Sequence, residues 1–449
     1  MRLELSDKQW DEIYQEGLAL LRDLIRIDTT NPPGRETVAA QYIAEQLKAD
    51  KIDSEIIEPR SGRGNLLARL GSKGESDGPL LLNGHTDVVL AEPEHWSHPP
   101  FAAEDDGTYL YGRGTVDMKN IVAYQLMAVR LLKRHKAQLR RDVILAAVAD
   151  EEEGCELGSR WLVENHPDKV RAQIALGEVG GFSMDFRGVR LYPVMTAAKG
   201  VAWLRLTARG EPGHGSFPRR DSAVIRLNHA LERLGSRLLP YRLTDTMRDF
   251  VSQVAQLQGP AVGTLLKGLL LSQTADLIID RALPEEVRPS FTAQLHNTVN
   301  ATVLRAGEKI NVMPTVAQAE CDGRLLPGQL PADLVREVQQ LIGPEIEIEV
   351  IREVPAYETP HDDPVFHKIS EVNRRHDPEG HVVPFLVSGF TDSNWFSTLG
   401  ARCFGYGPIR LPADEKFTKR FHGHDERIPL EGFRFGLRAF VELVWELAT

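Results

Sequence analysis

Two histidines and a set of carboxylates stand where metal chemistry is possible. The apolar run Leu81-Leu82-Asn83 ends in Gly84-His85-Thr86-Asp87. In an extended chain residues i and i+2 share a face, so His85 and Asp87 point the same way. A carboxylate beside an imidazole fixes its tautomer and makes it a better metal ligand; a strand-end histidine with a turn aspartate is the plain alternative. Residues 111–119, Tyr-Gly-Arg-Gly-Thr-Val-Asp-Met-Lys, put Asp117 just before an expected helix. The two glycines permit unusual backbone angles, and a helix cap is the other use for Asp117. The phosphate-loop pattern G-x-G-x-x-G is incomplete, because Asp117 occupies the third glycine's place. Asp150-Glu151-Glu152-Glu153 follow a strongly apolar run at 143–149. Charge runs are usually solvated faces. These acids, however, stand at the carboxyl end of an expected central strand, where open α/β sheets bind ligands. Crowding carboxylates there is costly unless cations neutralise them. Glu178 follows a second apolar run at 172–176, and Arg420-Phe421-His422-Gly423-His424-Asp425-Glu426-Arg427 precedes the last helix. Imidazole and carboxylate without thiolate suit zinc, cobalt, nickel or manganese. The surplus of acids suggests two ions sharing one carboxylate.

The elements that position these residues follow from periodicity. Helical spacing predicts helices over 9–26, 37–47 and 120–132, the first stopping before Asn31-Pro32-Pro33. Short apolar runs at 52–57, 65–70, 79–83, 143–149 and 172–176 alternate with them. That pattern predicts an α/β fold with a mixed, largely parallel sheet flanked by helices. The style changes near Lys199. Strand patterns at 201–207, 299–304, 315–325 and 346–350, with helices at 223–234 and 332–341, give strand-helix-strand-strand-helix-strand, an α+β order. Helices at 366–375 and 430–447 resume the first style. The expected domains are therefore a catalytic domain in two parts, 1–198 and 356–449, with a second domain inserted at 199–355. Residues at about 240–295 exceed what that small domain needs and form an extra, mostly helical insertion.

Composition narrows the functions. The 449 residues carry a net charge of −11 with no long basic run, which argues against a nucleic-acid partner. Cys155, Cys321 and Cys403 form no C-x-x-C pair, so a thiolate zinc site is out, and so sparse a count fits a reducing compartment. The charged first ten residues lack a signal-peptide core, and no apolar run reaches the ~18–20 residues of a membrane span. A cytoplasmic protein without a membrane partner is expected.

The order and spacing of these motifs resemble the dinuclear zinc metallopeptidase family of aminoacylase, glutamate carboxypeptidase, acetylornithine deacetylase, succinyl-diaminopimelate desuccinylase and carboxypeptidase S. The resemblance spans nearly the whole chain. It rests on Gly-His-Thr-Asp at 84–87, Gly-Arg-Gly-x-x-Asp-Met-Lys at 112–119, Glu-Glu-Glu-Gly at 151–154, Gly-His-Gly-Ser at 213–216, Asn-Val-Met-Pro at 311–314, Asp-Gly-Arg at 322–324 and the late His before Asp-Glu-Arg. It implies a zinc-exopeptidase-like catalytic domain and a ferredoxin-like lid. It implies two divalent ions, zinc first, with cobalt or manganese as alternatives. His85 and Glu178 would bind one ion, Glu152 and His422 the other, and Asp117 both. His422 is chosen over His424 because the family's ligand stands four residues before the Glu of this motif. Glu151 would be the general base for a metal-bridging hydroxide, Asp87 the partner of His85, and His214 an oxyanion stabiliser reaching a partner subunit's site. Arg324 and Asn311 would hold the substrate's free carboxylate, with Gly389 beside the pocket. The implied activity is cleavage of an amide bond in a short peptide or N-acyl amino acid, by a homodimer formed through the lid. A ureido or other C–N hydrolase of the same family, or a non-catalytic metal-binding relative, are the alternatives; the second would require a lost ligand or base, and none is missing.

Overall fold

The computed structural model describes residues 2–73, 77–413, 415 and 420–449. The chain divides into two compact units: residues 1–196, 359–385 and 391–449 form the first, and 197–358 with 386–390 the second.

The first unit is built on a mixed sheet with a parallel centre. Its strands run in the order Ser54–Ile57, Asn65–Leu70, Val143–Val148, Leu80–His85, Ile174–Gly177, Arg402–Gly405 and Val189–Ala198. The four from Val143–Val148 to Arg402–Gly405 are mutually parallel, and the flanking pairs are antiparallel. Every residue of Val143–Val148 and Leu80–His85 is buried. Burial on both faces explains why these strands read as unbroken apolar runs. The sheet is flanked by helices, among them Asp7–Arg26, Lys119–Arg134 and Leu430–Ala448. Leu21, Leu24, Met127 and Phe440 from those helices join Leu82 and Leu145 of the sheet in one core. Ser6 starts the first helix with a capping box to Gln9. Val189–Ala198 was not marked as a strand by its pattern. Pro193 and Arg190 interrupt its apolar alternation, and its place beside Arg402–Gly405 is fixed by pairing across the sheet.

The second unit carries a four-stranded antiparallel sheet in the order Thr298–Ala306, Val316–Leu325, Gly200–Arg209, Ile346–Val354. Helices Ala223–Ser236 and Pro331–Ile342 complete strand-helix-strand-strand-helix-strand, the ferredoxin-like arrangement. Alternate residues of Val316–Leu325 are buried, and Ala317, Ala319 and Cys321 pack with Leu227, Leu334 and Val338 of the two helices. Helices Asp245–Leu257, Pro260–Lys267, Ala275–Ala282 and Arg288–Leu295 lie between the first helix and the second strand. Of the leucines at 265–271, Leu266 and Leu269 are buried while Leu265 and Leu271 are exposed. No helix among the described residues is long and apolar enough to cross a membrane.

Candidate metal centre

Three central parallel strands bring four of the residues to their carboxyl ends. His85 is the last residue of Leu80–His85 and lies opposite Val148 in the neighbouring strand. Asp150, Glu151 and Glu152 follow Val148, and Glu178 follows the strand Ile174–Gly177. Asp117 comes from the loop before Lys119–Arg134, and the Asp117–Met118 peptide is cis. Gly114 in that loop has φ +89°, and a Cβ there would meet the Lys119 side chain at 2.9 Å, so the glycine is required. His422 comes from the loop before Arg427–Pro429, a strand that pairs with Tyr109–Tyr111. Val179, at φ +58°, holds a backbone conformation that a β-branched residue rarely adopts outside functional sites.

Asp117 is the hinge of the geometry. Its Oδ1 lies 3.1 Å from His85 Nε2 and its Oδ2 lies 3.2 Å from His422 Nε2. His85 Nε2 also faces Glu178 Oε2 at 3.4 Å, and His422 Nε2 faces Glu152 Oε2 at 3.2 Å. With its proton on Nδ1, His85 donates to the Asp87 main-chain oxygen at 3.0 Å, and the Asp87 carboxylate stands 3.5 Å from the same nitrogen. That leaves the Nε2 lone pair aimed into the cluster. Asp87 in turn accepts the Glu151 N–H (3.2 Å), the Glu152 N–H (3.1 Å) and Asn31 Nδ2 (2.9 Å). Among the described residues, possible ligand atoms gather within 4.8 Å in two sets, His85–Asp117–Glu152 and His85–Glu151–Glu178.

The electrostatics are those of crowded buried acids. Burial, reinforced by Glu178, pushes the Glu151 carboxyl well up. Burial and Asp117 push Glu152 up to about 7. Burial also raises Glu178, against the pull of His85. Hydrogen bonds to Asp117 and Glu152 lift His422 to about 10. Asp117 goes the other way: burial would raise it, but the two imidazoles hold it low. Asp87 is likewise held low against burial, by His85, Asn31 and the Glu152 N–H. Such a cluster retains protons that a cation would displace. Its donors are imidazole nitrogen and carboxylate oxygen only, a set that fits zinc, cobalt or manganese.

The remaining sequence-marked residues belong to the second unit and gather there in two places. His214 pairs with Val312 across a short two-stranded ladder, which puts Asn311 beside it; the Gly215 N–H donates to the Asn311 main-chain oxygen at 2.9 Å. The His214 ring is exposed, with Nδ1 2.8 Å from the Ser216 hydroxyl. Arg324 is held in a two-pronged pair by Asp322 at 2.7 and 3.0 Å and lies over the ring of Phe390, the neighbour of Gly389.

Several positioning residues went unmarked in the sequence. Asn31, read there only as a helix stop, bridges Asp87 and Asp150 with its amide. Arg63 pairs with Glu36 and Asp150, all three buried. Asp392 heads the helix Asp392–Ser397, and burial pushes its carboxyl up to about 7 beside the Glu151–Glu178 charges. No local pattern marks these contacts, which join segments far apart in the chain.

The sequence model of peptidase family M20/M25/M40 matches residues 81–446. The N-fatty-acyl-amino acid synthase/hydrolase PM20D1 of Xenopus tropicalis is 29% identical over 375 residues, 82% of this chain and 72% of that protein. Aminoacylase-1 of Sus scrofa is 26% identical over 441 residues, 96% of this chain and 95% of its own. Among solved structures, the M20 family metallo-carboxypeptidase Sso-CP2 from Sulfolobus solfataricus superposes with a TM-score of 0.68 at 19% identity, covering 96% of this chain and 98% of that one.

Proposed function

The chain belongs to peptidase family M20/M25/M40, and from that premise we propose that it is a two-metal hydrolase cleaving the amide bond of an N-acyl amino acid or short peptide with a free carboxylate. The observation that carries this reading is the division of one carboxylate between two imidazoles: Asp117 offers Oδ1 to His85 and Oδ2 to His422. In this reading His85, Glu178 and Asp117 hold one divalent ion, and Asp117, Glu152 and His422 the other, zinc being the first candidate. Two such ions would supply acidity to a water and polarise a carbonyl. Glu151 would accept a proton from the attacking water and return it to the leaving amine, a role that suits a carboxyl raised by burial. Asp87 keeps His85 in the ligating tautomer. His214 stabilises the oxyanion, reaching the site of a second copy in a homodimer formed through the second unit, which acts as the lid. Arg324, through the guanidinium nitrogen that Asp322 does not engage, and Asn311 take the substrate carboxylate, with Gly389 beside the pocket. The names of the relatives PM20D1 and aminoacylase-1 support the N-acyl amino acid side of this reading, and that of the probable carboxypeptidase S-like 2 of Dictyostelium discoideum supports the peptide side.

The test is an amine-release screen of N-acyl amino acids and dipeptides with zinc, cobalt and manganese supplied in turn. Chelator-sensitive turnover with two ions per chain is expected. A pure protein that binds no divalent ion would refute the reading.

A further inference from the structure

We propose that Glu426 is a positioning residue that sets Asp117 and His422 in register with each other; the inference rests on the two-metal reading above. Glu426 is completely buried and does not face the ligand cluster as a donor, because both its oxygens are already engaged. Oε1 accepts the Val116 N–H at 2.8 Å and the Asp117 N–H at 3.2 Å. Oε2 accepts the Gly114 N–H at 3.0 Å and Arg113 Nη1 at 2.8 Å. The Thr115 hydroxyl approaches Oε1 at 3.5 Å. One carboxylate therefore organises the whole 113–117 loop, and one of its donors is the main-chain N–H of the shared ligand itself.

The same residue anchors the other ligand. Glu426 stands four positions after His422 and immediately before Arg427–Pro429, the strand that pairs with Tyr109–Tyr111. Its main-chain oxygen accepts the Gly112 N–H at 2.9 Å. The loop carrying Asp117 and the loop carrying His422 are thus pinned together by main chain and side chain at one residue. The contact between Asp117 and His422 then follows from a single fixed frame, although the two ligands are about three hundred positions apart in the chain.

An amide cannot reproduce this. Gln at 426 keeps one acceptor and turns an NH2 toward two N–H donors, either the Val116–Asp117 pair or the Gly114–Arg113 pair. It also leaves the buried Arg113 guanidinium without its counter-charge. Partners of this kind, one shell out from a metal, typically change affinity 10–100-fold when replaced.

The test compares the wild type, Glu426→Gln and Glu442→Gln. Glu442 is a buried carboxylate of the C-terminal helix, held by Arg375, His376 and Arg438 away from the ligand loops. Zinc affinity is read by competition with a chromophoric chelator, and ligand geometry by the visible spectrum of the cobalt(II)-loaded protein. The expected result is a 10–100-fold weaker ion in Glu426→Gln with a changed cobalt spectrum, and wild-type values for both in Glu442→Gln. Wild-type affinity and spectrum in a folded Glu426→Gln would overturn the positioning role while leaving the two-metal reading intact. A wild type that binds no ion would overturn both. If Glu426→Gln does not fold, Arg113→Lys reads the same frame: it keeps the charge and loses the guanidinium geometry. Weaker zinc binding supports the role, and unchanged binding overturns it.

Discussion

Replacing Glu151 by Gln separates two roles that the geometry brings close together. Glu151 lies within 4.8 Å of His85 and Glu178 as a potential ligand, and it is also the carboxyl proposed as general base. The amide has nearly the same volume, and the main-chain N–H that ties residue 151 to Asp87 at 3.2 Å does not depend on the side chain. The perturbation therefore removes a basic oxygen and little else. General-base catalysis is worth about 10²–10⁴-fold, which corresponds to about 2.7–5.5 kcal/mol of barrier. The expected outcome is a fall of that size in kcat with little change in KM and with both ions retained. Turnover is followed by amine release and metal content by elemental analysis of the same sample. A variant that keeps two ions and more than a tenth of the wild-type kcat would refute the base assignment. A variant that loses an ion together with its activity would instead make Glu151 a ligand, because a base acts on a site that is already loaded.

Three further outcomes follow from the same contacts. Asp117→Asn leaves one oxygen to serve two imidazoles, so it should lose at least one ion per chain; two tightly held ions by elemental analysis would contradict the shared-ligand role. Metal loading should release protons, because Glu152 is raised to about 7 and His422 to about 10 before cations arrive. Affinity should then rise with pH between 6 and 8, by about tenfold per pH unit for each proton displaced; calorimetry in buffers of different ionisation enthalpy that shows no proton release would refute this. Glu442→Gln should lower stability by about 2 kcal/mol at pH 7, since its charge-assisted bonds to Arg375, His376 and Arg438 hold its carboxyl down to about 2 despite burial. A depressed carboxyl contributes above its ordinary value of 4.5 and loses that contribution as pH falls toward 2, so the gap between variant and wild type in urea unfolding should narrow below pH 4.5.

How far the sequence reaches depends on whether a residue is placed by its neighbours in the chain or by distant ones. Val143–Val148 and Leu80–His85 are buried on both faces, so they read as unbroken apolar runs, and the acids and histidine at their ends stand out. Glu178 follows the same logic at the end of Ile174–Gly177. His422 does not. Its loop has no periodic pattern, and pairing of Arg427–Pro429 with Tyr109–Tyr111 brings it to Asp117. Only a resemblance singled it out from His424, which sits instead at 3.1 Å from Glu92 on the surface. Asn31 illustrates the same limit: the Asn-Pro-Pro signal that ends a helix carries no sign that the amide will bridge Asp87 and Asp150. In the sheets, three of the four parallel strands read as short apolar runs, whereas the four-residue Arg402–Gly405, with an arginine at its start, has no such run and is placed by pairing with Ile174–Gly177. The antiparallel Val189–Ala198, with a proline and an arginine in it, takes its state from its neighbours.

The distribution of arginine explains why the central acids are left for cations. Around the site, Glu36, Asp150 and Glu426, buried carboxylates that hold the chain in place, are matched by guanidinium groups. Arg63 lies between Glu36 and Asp150, and Arg113 is against Glu426. Among the described residues no lysine or arginine pairs with Asp117, Glu151, Glu152 or Glu178; their partners are two imidazoles and one another. Burying those acids without compensation raises three of the four carboxyls, a cost the fold could have removed with one more arginine. An arginine would neutralise them permanently, but it offers five donors and no lone pair, so it could neither polarise a substrate as a Lewis acid nor acidify a water. Withholding it leaves the charge to be supplied by ions. The arginines hold the scaffold rigid, and the uncompensated acids keep the centre open to exchangeable cations.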